Sequence, residues 1–106
     1  MAYTRDTSAQ DRLSGTEQQI VAAVEAHKNA AIDFLERIVN MNSGSMNFDG
    51  VRRVGDAFDA ELANMGFSTE WIDGESFGRA GHLFATRGTK GPHFLLVGHL
   101  DTVFEL

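Results

Sequence analysis

Apolar residues recur at three- and four-residue steps from Ile20 onward. Ile20, Val24, Ala31, Phe34, Leu35 and Ile38 form a stripe from which Lys28, Glu36 and Arg37 are excluded, the spacing of an amphipathic helix. Thr16-Glu17-Gln18-Gln19 has capping-box form and is expected to open that helix. Ala26-His27-Lys28-Asn29 interrupts the stripe, as a kink or as a break between two helices, and Asn40-Met41-Asn42-Ser43-Gly44-Ser45 ends the segment with loop chemistry. A second stripe, Val51, Val54, Phe58, Leu62 and Met65, predicts a helix with Asp49 as N-cap and Gly66 just past its end.

The period then changes to two. Phe67, Thr69 and Trp71 alternate with Ser68, Glu70 and Ile72, which predicts a first strand. Asp73-Gly74 begins a turn, Gly78-Arg79-Ala80-Gly81 leads to a second strand over His82 to Arg87, and Gly88 to Pro92 is a loop. His93 to Gly98 contains the unbroken apolar run Phe94-Leu95-Leu96-Val97, which reads as a buried third strand of a mostly parallel sheet. The expected class is α/β: two helices, then a partly parallel sheet. Residues 1–15 are polar and unpatterned and are expected to be a disordered lead-in, with 16–106 as the folded portion. The third strand is followed by no crossover helix, so the chain is expected to be an incomplete N-terminal piece of a larger domain.

Composition narrows the chemistry. A net charge of −6 with nine scattered Lys and Arg argues against a nucleic-acid partner, which needs a clustered positive field. With no cysteine, any metal must sit on histidine and carboxylate. No apolar stretch approaches the roughly 20 residues of a membrane span, and the N-terminus lacks a secretory core, so no membrane partner and a cytoplasmic location are expected.

The candidate chemistry lies in Gly98-His99-Leu100-Asp101-Thr102-Val103. His99 and Asp101 are two apart, so on an extended backbone both side chains leave one face. A carboxylate in that position can hold one ring nitrogen while the other faces a metal. The carboxyl end of a strand is also where open α/β sheets bind ligands. Against this stands a plain hydrogen-bonded histidine with an incidental neighbour. The other histidines are weaker candidates. His93 would lie roughly 20 Å from His99 along a strand, His82 opens a strand, and His27 sits at the weak point of the first helix. Ser43, Ser45 and Ser76 have no adjacent His–acid pair, which leaves a serine nucleophile without support. Trp71 is expected to bury its ring against a helix.

Gly-His-Leu-Asp-Thr-Val resembles the first metal-ligand motif of the zinc-dependent amidohydrolase and exopeptidase family. That family includes bacterial glutamate carboxypeptidase, acetylornithine deacetylase, succinyl-diaminopimelate desuccinylase and aminoacylase. Phe34 to Asn40 resembles the family's first helix, and Val51 to Met65 its second, with Gly66 to Thr69 entering the first strand. The resemblance spans roughly Glu17 to Glu105, the start of a family member's catalytic domain. It implies His99 as a metal ligand and Asp101 as the catalytic residue orienting its ring. It also implies two zinc ions per complete site, with cobalt as a substitute, and a peptide or N-acyl amino acid as substrate. The implied reaction is hydrolysis, by metal-activated water, of an amide bond next to a free carboxylate. The family's remaining ligands and general base have no counterpart here, so the chain alone is expected to be inactive. The alternative is a non-catalytic binding or assembly module derived from the peptidase, forming a homodimer through the edge of the third strand.

Overall fold

The computed structural model describes residues 12–104. The expected lead-in falls outside the described residues as far as residue 11. Four main elements follow: α1 (Gly15–Val39), α2 (Phe48–Asn64), β1 (Ser68–Asp73) and β2 (Gly81–Thr86), with a single 3-10 turn at Glu75–Phe77. Two compact units divide between Glu36 and Arg37. No helix among the described residues is long and apolar enough to cross a membrane.

The first unit is α1 up to Glu36. Its capping box is Ser14 with Glu17, two residues earlier than expected: the Ser14 N–H donates to Glu17 Oε2 at 2.7 Å and the Glu17 N–H to Ser14 Oγ at 3.3 Å. Glu17 is thereby held below the ordinary carboxylate range, chiefly by the Ser14 hydrogen bonds. The helix runs without a break through residues 26–29. The interruption in the stripe is polar but holds no Gly or Pro, and Ala and Lys are strong helix formers. Within it, the His27 ring contacts the Ala23 carbonyl one turn back, with Nδ1 at 2.8 Å. The apolar stripe shapes the helix, yet no residue of α1 is buried.

In the second unit, α2 is capped by Asn47 rather than Asp49. The Asn47 side chain accepts from the Gly50 N–H at 3.0 Å and donates to Asn42 Oδ1 at 2.9 Å. Asp49 instead places its charge in the first turn, where the helix dipole favours it. Gly66 follows the helix at φ +83°, as expected of a residue at that position. Of the predicted stripe, Val51 and Val54 are the buried apolar core, each 4% exposed. Phe58 and Leu62 are half-buried and Met65 is exposed.

The sheet corrects the sequence expectation. β1 and β2 pair antiparallel, with Ser68 opposite Thr86, Trp71 opposite Leu83 and Asp73 opposite Gly81. The connection Gly74–Ala80 holds only the 3-10 turn, too short for the crossover that parallel strands require. The third strand is not formed. Phe94, Leu95, Leu96 and Val97 are 81–94% exposed, and none belongs to a strand. An apolar run becomes a buried strand only where it pairs with a neighbour, and the sheet of the described residues consists of β1 and β2 without this run. The fold is therefore mixed α and β, built on a two-stranded antiparallel sheet.

Trp71 joins the hairpin to α2. A Cβ on Gly55 would lie 2.5 Å from Trp71 Cζ3 and one on Gly81 would lie 2.8 Å from Trp71 Nε1, so both glycines make room for the indole. The Arg52 guanidinium covers the ring at 4.4 Å from its centroid while pairing with Asp56 at 2.8 Å. The ring packs against a helix, as the alternating strand suggested.

Candidate functional site

The segment His99–Thr102 is irregular, and three attachments hold it. Leu100 points toward α2, its Cδ1 3.3 Å from where a Cβ on Gly55 would stand. Thr102 forms an isolated parallel bridge with Gly44. In that bridge the Thr102 N–H donates to the Ser43 carbonyl at 2.8 Å and the Ser45 N–H to the Thr102 carbonyl at 3.0 Å. The backbones approach so closely that a Cβ on Gly44 would stand 2.6 Å from the Phe104 carbonyl oxygen. Ser43 is buried at this junction. The third attachment is a side chain: Ser45 Oγ donates to Asp101 Oδ2 at 2.6 Å and also lies 3.2 Å from the Thr102 carbonyl.

His99 and Asp101 do meet, though not on a strand. His99 Nδ1 lies 2.5 Å from the Asp101 carbonyl oxygen and 3.5 Å from Asp101 Oδ1. Both are acceptors, so Nδ1 must carry the ring proton when the imidazole is neutral. That tautomer leaves the lone pair on Nε2, the nitrogen turned away from Asp101. The imidazole is 81% exposed and the Asp101 side chain 41%. The Ser45 hydroxyl holds the Asp101 carboxyl below its ordinary range, with burial opposing and His99 assisting to a lesser degree.

His99 and Asp101 border an open groove of about 550 Å³ whose walls include Ile38, Met41, Val54 and Phe58. Among the described residues no group of three His, Cys, Asp or Glu is arranged to hold a metal ion. His82 stacks on Phe77 at 5.8 Å between centroids, and His93 stands in the exposed segment before Phe94.

The sequence shows no His–acid pair near Ser45, and the structure corrects this by placing its hydroxyl on Asp101, the partner of His99. Ser45 lies 56 residues from Asp101, and nothing in the chain's local pattern links the two. Its hydroxyl donates to a carboxylate and not to a histidine ring, so the imidazole base of a serine nucleophile is not its partner.

Over 76 residues, 71% of this chain, the sequence is 30% identical to Carboxypeptidase G2 of Pseudomonas sp. (strain RS-16). The chain spans 18% of that protein's length. No family model matches the chain, and no solved structure matches it. The similarity relates this chain to a peptidase, and through it to hydrolases.

Proposed function

We propose that this chain forms the N-terminal part of the catalytic domain of a metal-dependent exopeptidase or amidohydrolase, acting on an amide bond next to a free carboxylate. The observation that carries the reading is the held imidazole: Nδ1 is committed to Asp101 and the Nε2 lone pair is left outward, the state of a metal-ligating histidine with its orienting partner. The similarity to a carboxypeptidase supports the same class. A cytoplasmic location belongs to the same reading.

The residues present fit one position of a zinc site. His99 would hold the metal through Nε2, and Asp101 would fix the ring. A catalytic zinc takes about three protein ligands, and the described residues supply no such set. Zinc, or cobalt in its place, contributes Lewis acidity toward water and a scissile carbonyl when bound. The 106-residue chain by itself is accordingly expected to show no hydrolysis of N-acyl amino acids above a metal-only blank.

Cobalt titration followed by proton NMR tests the assignment. The His99 ring signals should broaden at lower Co2+ than those of His27, His82 and His93, and His99→Ala should abolish that preference. Equal broadening of all four rings would remove His99 as the ligand.

The exposure of Phe94–Val97 favours a second reading, an assembly module that self-pairs through this run. A defined dimer in sedimentation, independent of metal and dissociated by Leu96→Lys, would support it. A monomer at high concentration would dismiss it.

A further inference from the structure

We propose that Ser45 is a positioning residue for the His99–Asp101 pair, acting through the Asp101 carboxylate to keep the neutral imidazole protonated on Nδ1. The inference rests on the metal-ligand reading for its purpose but not for its test, which needs no metal.

Asp101 has two carboxylate oxygens with different tasks. Oδ2 accepts the Ser45 hydroxyl at 2.6 Å, the length of a hydrogen bond strengthened by an ionised acceptor. Oδ1 is thereby turned toward His99 Nδ1, at 3.5 Å. Without the hydroxyl the carboxylate is free to rotate about its last torsion, which is broad for this side chain. Its negative charge would then no longer be held beside the Nδ1 proton. The carbonyl of Asp101 alone would remain to bias the tautomer.

Ser45 is itself anchored by backbone. Its N–H donates to Thr102, and its neighbours Ser43 and Gly44 complete the bridge. The hydroxyl therefore projects from a fixed frame built by the loop between α1 and α2. In this way a loop 56 residues upstream sets the orientation of the candidate ligand pair. Its distance from His99 in the chain hides it from any reading of the local motif.

The test is the tautomer of His99 in the intact chain, read from its two ring nitrogen shifts on the alkaline plateau where they no longer change with pH. The wild type should show mainly the Nδ1–H form. Ser45→Ala should lower the ratio of Nδ1–H to Nε2–H by about threefold, within what one net hydrogen bond contributes. The ring shifts of His27, His82 and His93 should stay in place, which reports an intact fold. Ser45→Thr, which restores a hydroxyl, should return the wild-type ratio. Should Ser45→Ala fail to fold, Ser45→Thr and Ser45→Val, similar in shape and differing in the hydroxyl, carry the comparison. An unchanged ratio in folded Ser45→Ala, or equal ratios in the Thr and Val variants, overturns the proposal. Neither result bears on whether Co2+ selects His99, so the two readings fail separately.

Discussion

Replacing Gly55 by alanine sets two effects of opposite sign against each other. Gly55 lies inside α2, where alanine is the better helix former by about 1 kcal/mol. The new methyl would also stand 2.5 Å from Trp71 Cζ3, 3.3 Å from Trp71 Cη2 and 3.3 Å from Leu100 Cδ1. The indole has nowhere simple to go, since Gly81 backs its Nε1 edge and Arg52 covers its face. Overpacking of this kind costs about 1–3 kcal/mol, so the steric effect wins by about 1 kcal/mol. For a chain of this size that is a loss of about 4–8 °C in Tm. Trp71 is the only tryptophan, so its fluorescence reports both the unfolding transition and the local displacement. Leu100 sits between His99 and Asp101, so the ring signals of His99 should move as well. A variant more stable than wild type, with unaltered Trp71 emission, would show that helix propensity governs this position and that the packing argument is wrong.

Asn47→Ala removes the cap of α2 and leaves the Gly50 N–H without its acceptor, a loss of about 1 kcal/mol that urea denaturation should register; no change would mean that Asp49 takes over as cap. Arg52→Ala uncovers the Trp71 ring and removes an exposed cation–π contact of about 0.5–1 kcal/mol, with a red-shifted emission as the direct check. Glu17 is lowered by its hydrogen bonds from Ser14, so the folded state favours its charged form. Its contribution to α1 is complete above the unfolded carboxylate range and disappears as pH falls through the lowered folded value. Circular dichroism of wild type and Glu17→Gln should therefore converge in acid and separate toward neutrality, and superimposable acid titrations would contradict the capping box.

Much of the local structure follows from the chain's own order of residues. The stripe Val51, Val54, Phe58, Leu62, Met65 determined α2, and Gly66 its end, because helical spacing and a positive φ are properties of adjacent residues. The alternation around Trp71 determined a strand, whereas His99 and Asp101 meet on irregular backbone and not on the extended strand that their spacing of two assumed. The cap positions slipped by two residues at both helices, since Ser, Thr, Asn and Asp cluster there and each can serve. Strand direction was legible but missed: a period of two is the same in parallel and antiparallel pairs, yet the short Gly74–Ala80 connection, visible in the chain, is compatible only with the antiparallel pairing observed. The apolar run Phe94–Val97 met no pairing strand among the described residues, because burial depends on a partner that apolarity alone does not supply. Ser45 and Asp101 are the sharpest case. Their hydrogen bond exists because the Gly44–Thr102 bridge brings two distant backbone segments together, and a contact between segments 56 residues apart leaves no periodic trace in either one.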